Sequence, residues 1–192
     1  MLLTVSGPPG GGKTTTAARL AERYNLEHIS GGDIFRSVAT ERGLSVVELN
    51  ELAEEDDSID HELDRRLQQI AAERDDVVLE SRLAGWLAGA HADFRFWLDA
   101  PREVRVERIA DRETGSLKQI AEETERREVS EAARYQTYYD IDIDDRSIYD
   151  LAINTGRWDA PAVIDIISMA IDRYDPDNDE GTVRIDHVEL PG

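Results

Sequence analysis

The sequence contains no cysteine, which excludes disulfides and thiolate metal sites, and its four histidines (His28, His61, His91, His187) are too scattered to suggest zinc. No apolar run approaches the roughly eighteen residues of a membrane span, and residues 1–5 enter a strand pattern with no basic leader. A soluble cytoplasmic protein with no membrane association is expected. Lysine is almost missing, with Lys13 and Lys118 standing against twenty arginines. Cations as a class are short as well: 42 acidic residues against 22 basic give a net charge of −20. A polynucleotide partner needs a basic surface to neutralise phosphates, so this balance argues against a nucleic acid polymer. A lysine-poor, carboxylate-coated surface repels itself, and molar salt screens that repulsion, so the composition suits a salt-rich, halophilic cytoplasm.

What is present is a cluster of glycine at the start, in MLLTVSGPPGGGKTTTAARLAERY. LLTVS is apolar and reads as a buried parallel strand, whereas KTTTAARLAERY places Ala17, Leu20, Ala21 and Tyr24 at helical spacing. Between them Gly7, Pro8, Pro9, Gly10, Gly11, Gly12, Lys13 and Thr14 fit G-x-x-x-x-G-K-[ST], a phosphate-binding loop in the strand–loop–helix setting that the motif requires. Backbone N–H groups converge on one anion only where the chain can take left-handed dihedrals without a Cβ. The helix start adds its positive dipole end, Lys13 can bridge β- and γ-phosphates, and Thr14 can ligate Mg²⁺, with Thr15 beside it. The chain is therefore read as binding a nucleoside triphosphate.

Further strands are read at EHIS (27–30), VVLES (77–81), FRFWLDA (94–100) and SIYDLAINT (147–155). Helices are read from GGDIFRSVATERG to Gly43, over SVVELNELAEE behind a Ser45–Glu48 capping box, and over DSIDHELDRRLQQIAAER. Three more follow: REVRVERIADRE after Pro101, a long helix from a second box at Ser116 and Gln119, and a closing helix from Pro161. Strands separated by helical crossovers imply an α/β protein with a five-stranded parallel sheet flanked by helices. It is read as one domain over 1–174, with an acceptor-binding segment at about 31–75 and a short lid at about 110–120. For the acidic tail, 175–192, two readings stand: a disordered end or an added edge strand.

No N-K-x-D motif occurs, which argues against a regulatory GTPase, and VVLES ends in one acid rather than the two of a motor or transporter ATPase. A small phosphoryl-transfer enzyme remains, and a nucleotide-dependent switch module is the competing class. SGGDIFR (30–36), LESRLAGW (79–86), WLDAPREVRVERI (97–109), ETERREVSEAARY (123–135) and DIDDRSIYDLAINT (142–155) resemble the archaeal type of cytidylate kinase, in order and with matching gaps. The likeness runs from residue 1 to about 173, and Ser81 departs from it where the family pattern carries glycine. The resemblance implies the P-loop kinase fold and transfer of the γ-phosphoryl of ATP, with Mg²⁺, to CMP, with dCMP and UMP as weaker acceptors. Adenylate or shikimate kinase is the alternative, and a monomer is expected.

The resemblance also implies site roles: Lys13, Arg127 and Arg134 in catalysis; Ser30, Asp33, Arg36, Arg82 and Glu131 on the acceptor; Arg108 and Arg112 on ATP; Thr14 and Glu80 on the metal. Several have competing readings. Arg36 follows Asp33 by three residues and could simply pair with it, Glu80 could pair with Arg82, and Asp99 could cap the helix that follows Pro101. Arg127, Glu131 and Arg134 share one helix face, as an exposed ion-pair ladder or as two phosphate ligands holding Glu131 near the base. A carboxylate there would accept the amino group of cytosine; failing Glu131, Asp60 or Asp64 would do so. Lys118 reads as an ordinary solvated lysine.

Overall fold

The apolar runs at 2–6, 77–80 and 94–99 lie side by side at the centre of one sheet. The computed structural model describes residues 1–45, 48–49, 52–53, 56–179, 181, 188 and 190. Its strands are β1 (Leu2–Ser6), β2 (Glu27–Ser30), β3 (Val77–Glu80), β4 (Phe94–Asp99) and β5 (Leu151–Asn154). Its helices are α1 (Lys13–Tyr24), α2 (Gly31–Glu41), α3 (Ser58–Glu73), α4 (Ala84–Leu87), α5 (Arg102–Ala110), α6 (Leu117–Tyr139) and α7 (Ala160–Arg173), with a 3₁₀ turn at Gly89–His91. The sheet order is β2-β3-β1-β4-β5 and every pairing is parallel. Helices cover both faces of its central strands, so burial there runs along each strand rather than alternating, and it takes in Thr4, Ser6 and Arg95 as well as the apolar side chains.

Successive side chains of β1 feed two cores. Leu3 and Val5 pack with Val78, Phe96 and Leu98 against Leu20 of α1 and Ile164 and Ile167 of α7. Leu2 packs on the other face with Val77, Leu79 and Trp97 against Val38 of α2 and Leu67 of α3. Val106, Ile109 and Ile120 form a small separate cluster that joins α5 to α6. Strands are added outward to opposite sides of β1, with β3 on one side and β4 on the other, and this switch point in strand order is where open α/β sheets bind ligands. Register pairs Val5 and Ser30 with Glu80, Ser6 with Trp97 and Asp99 with Asn154, so the glycine loop, Ser30, Glu80 and Asp99 share one edge.

Local chemistry sets the boundaries. Both oxygens of the Ser116–Gln119 capping box are in place ahead of α6. Ser45 and Glu48 also exchange their two bonds, 2.8 and 3.2 Å, although the helix read over 45–55 lies partly outside the described residues. The strand read over 147–155 is shorter than expected, because Asp142 and Asp145 accept from Asp144 N and Ser147 N and turn the chain until Asp150. Helix α4 and its 3₁₀ extension were not expected, since LAGWLAGAH is short and holds two glycines. Most of the tail falls outside the described residues; Val188 and Leu190 pack on the Leu67 core, where Gln68 Nε2 donates to the Val188 carbonyl at 2.7 Å. Among the described residues, no helix is long and apolar enough to cross a membrane.

Candidate active site

The glycine loop uses its residues for space as well as dihedrals. Gly10 has φ 74°, and a Cβ there would stand 2.6 Å from the Arg105 carbonyl oxygen. Gly12 caps α1 at φ 94° and puts no side chain on the first helical N–H groups, which leaves them to an anion. Lys13 Nζ donates to the Pro8 carbonyl at 3.0 Å, so the lysine folds back over the loop. Burial pushes its ammonium down to about 8, helped by the charges of Arg82 and Arg127 and opposed by Glu80 and Glu131. A polyphosphate would relieve that positive crowding.

Thr14 Oγ1 donates to Glu80 Oε1 at 2.7 Å, and Glu80 Oε2 lies 2.9 Å from His28 Nε2. These hard oxygens at the loop's mouth fit Mg²⁺, whose remaining ligands would be phosphate oxygens and water. Glu80 therefore does not take Arg82 as its partner. Arg82 turns to α6 instead, where its Nε stands 2.9 Å from Glu131 Oε2 while Arg127 Nε donates to Glu131 Oε1 at 2.8 Å. Glu131 is only 5% exposed, so it is a buried anion shared by two arginines from different elements rather than one rung of a surface ladder. Arg134 leaves that group: its Nε lies 3.0 Å from Asp60 Oδ2 on α3, and its Nη1 donates to Ser130 Oγ at 3.0 Å.

On the acceptor side Ser30 caps α2, accepting from Asp33 N at 3.0 Å and donating to Asp33 Oδ2 at 2.7 Å. Arg36 pairs with Asp33, and the Ser30 hydrogen bond, followed by that of Arg36, holds the Asp33 carboxyl below its usual range. Both charged side chains stay exposed at the helix start, where either can be recruited. Asp99 does not cap α5; it accepts from Ala100 N at 2.7 Å and faces Arg105 and Arg146 at 3.4 and 3.2 Å. Lys118 is solvated beside Glu122.

A cavity of about 400 Å³ opens on the loop and is lined by Gly12, Lys13, Thr15, Arg108, Arg112 and Trp158. Arg108 Nη1 donates to the Gly10 carbonyl at 3.1 Å and to Thr155 Oγ1 at 2.9 Å, while Arg112 Nε donates to the Arg108 carbonyl. Four residues here escaped sequence reasoning. Arg105 donates to the Ala100 and Pro9 carbonyls at 3.0 and 3.2 Å and pairs with Glu128 of α6, tying the loop to both helices. Thr155 Oγ1 lies 2.9 Å from the Gly11 carbonyl oxygen, beneath the loop. Trp158 is an exposed ring at the cavity wall, and His28 supports Glu80. Arg105 was findable, because it sits three residues before Arg108 on the same helix face; for His28 no sequence signal exists.

Comparison with known proteins bears on the family and the fold. Residues 2–157 match the model of the cytidylate kinase-like family. A cytidylate kinase of Haloquadratum walsbyi is 63% identical over 188 residues, 98% of each chain, and one of Methanococcoides burtonii is 49% identical over 172 residues, 90% of this chain and 97% of that one. Among solved structures, a shikimate kinase from Bacteroides thetaiotaomicron superposes with a TM-score of 0.62 at 16% identity, covering 90% of this chain and 98% of that one, which establishes a shared fold. With a family model spanning most of its length and relatives of this similarity, the chain belongs to the cytidylate kinase-like family.

Proposed function

We propose that this protein transfers the γ-phosphoryl group of ATP to the phosphate of CMP, and of dCMP, acting as a cytoplasmic monomer with Mg²⁺. The observation that carries the reading is the position of Lys13, between the amide cradle of loop 7–12 and the Arg82–Glu131–Arg127 group whose charges it feels. Two nucleotides meeting phosphate to phosphate bring several negative charges to one point, and this is where the structure gathers cations. The names of the relatives, cytidylate kinases at 56–63% identity, support cytidylate as the acceptor.

In this reading the loop amides and Lys13 hold the β- and γ-phosphates, and the cavity beside Arg108, Arg112 and Trp158 takes the donor nucleoside. Thr14 and Glu80 would hold Mg²⁺, which supplies charge neutralisation between the phosphates. Ser30, Asp33, Arg36 and Arg82 bind the acceptor, whose phosphate oxygen attacks γ-phosphorus while the bond to the bridging oxygen of ADP breaks. No general base is needed, because the attacking phosphate is already ionised near neutral pH. Arg127 and Arg134 approach the transferring group as the acceptor segment at about 31–75 and the lid at about 110–120 close. A coupled ADP-release assay with CMP, dCMP, UMP, AMP and shikimate tests the proposal. CMP and dCMP should give the highest kcat/KM, and faster turnover of AMP or shikimate would overturn it.

A further inference from the structure

Cytosine and uracil differ at C4, where one carries an amino donor and the other a carbonyl acceptor, so arginines that bind phosphate cannot tell them apart. An acceptor group held beside the charge cluster could. Among the described residues several carboxylates stand between α3 and α6, and most are engaged: Glu131 has a guanidinium on each oxygen, Asp60 holds Arg134, and Asp57 at the start of α3 bonds to Tyr138. Asp64 differs. It is half-buried on α3, and its Oδ2 accepts from the Tyr139 hydroxyl at 2.8 Å, while His61 Nδ1 lies 3.0 Å from that same hydroxyl oxygen. Since the tyrosine proton points to Asp64, His61 must donate to the tyrosine oxygen, and the three side chains form one directed chain. Among the described residues nothing donates to Oδ1 of Asp64.

We infer that Asp64 accepts the C4 amino group of the acceptor's cytosine through Oδ1, with Tyr139 and His61 as positioning residues that fix which oxygen it offers. This rests on the reading of CMP as acceptor. Asp64 is faced by Asp60 and His61 on its own helix and by Arg134, Tyr135 and Tyr139 on α6. Burial pushes its carboxyl up to about 7 and Asp60 adds to the rise, against the Tyr139 hydrogen bond and the charge of Arg134. Ionised, Oδ1 accepts from an amino group and repels the O4 of uracil. Protonated, it can donate to O4 and tolerates UMP. Discrimination therefore grows as pH rises through the neutral range.

The test is the ratio of kcat/KM for CMP to that for UMP, from pH 6 to 8.5 at fixed KCl, in the wild type, Asp64→Asn and Tyr139→Phe. The wild-type ratio should climb about tenfold across this range, and Asp64→Asn should show a ratio at least about tenfold lower at pH 8 with no slope, since an amide presents either edge. Tyr139→Phe should fall between, by a higher KM for CMP at nearly unchanged kcat. An Asp64→Asn ratio and slope equal to wild type would overturn the inference, as would collapse of the ratio in Glu131→Gln with Asp64→Asn unaffected. Should Asp64→Asn not fold, a flat wild-type profile with an unchanged Tyr139→Phe ratio overturns it. A wild type that does not phosphorylate CMP defeats the functional reading itself, whereas CMP turnover with an indifferent Asp64→Asn defeats only the assignment of Asp64.

Discussion

Nε of Arg82 lies 2.9 Å from Oε2 of Glu131, and this contact ties the loop after β3 to the middle of α6. Glu131 neutralises two guanidiniums that would otherwise repel each other; in the proposed reaction the phosphates arrive beside them, and its charge then positions the arginines rather than contacting a base. Glu131→Gln keeps the shape and removes the charge. With Asp64 reading the base, kcat/KM for CMP and for UMP should fall together by about 10–100-fold, leaving their ratio in place. A narrowed ratio would return base reading to Glu131.

In the proposed reaction Lys13 carries the donor side. Lys13→Ala should fold normally and lose about 10²–10³-fold in turnover, because it removes a charge from the phosphates and little packing. The ammonium's pKa of about 8 adds a check in which a structural role has no part. At pH 9 the empty protein holds the lysine largely neutral, and bound polyphosphate favours the charged form, so ATP binding should take up a proton. Calorimetry in buffers of different ionisation enthalpy measures that uptake, and Lys13→Met should abolish it.

Most of the fold was legible because its signals are local. The G-x-x-x-x-G-K-[ST] loop, the apolar central strands and the Ser116–Gln119 capping box each depend on residues adjacent in sequence, and each is found where it was read. The site was legible only in part, because pairing across elements has no sequence period. Arg127 and Glu131 share a helix face, as their spacing requires, but nothing in the spacing shows that Arg82 joins them or that Arg134 crosses to Asp60 on α3. Likewise Glu80 was readable as an acid at a strand end, whereas its partners Thr14 and His28 come from α1 and β2 and meet it only through sheet register.

The raised pKa of Asp64 has a consequence for stability that is separate from catalysis. Between the unfolded carboxyl value near 3.9 and about 7, the folded state binds the extra proton, so this group's contribution to stability falls as pH rises through that window. At pH 8 the wild type holds an ionised carboxylate where burial disfavours it. Asp64→Asn, which can still accept from Tyr139, should therefore be more stable than wild type at pH 8 by about 1–3 kcal/mol, or several degrees in Tm, with the two converging near pH 4. Thermal melts at both pH values check this, and equal Tm at pH 8 would contradict it. Stability gained together with specificity lost is the pattern expected of a group kept for function.

Salt should act on the whole molecule, and two effects oppose each other. Raising KCl weakens exposed pairs such as Arg102–Glu125 and Arg74–Glu27, each worth about 0–1 kcal/mol. It also screens the repulsion among carboxylates that leave a net charge of −20, as the Debye length falls from about 10 Å at 0.1 M to about 3 Å at 1 M. The second effect should win, because acidic residues outnumber basic ones 42 to 22 and the excess carboxylates have no cation to lose. Tm should therefore rise by roughly 10 °C or more between 0.1 and 2 M KCl, most of it below 1 M where the Debye length changes most. A nonionic osmolyte at matched water activity separates screening from general exclusion effects and should give a smaller rise. A flat or falling Tm in KCl would show that the acidic surface does not limit this protein's stability.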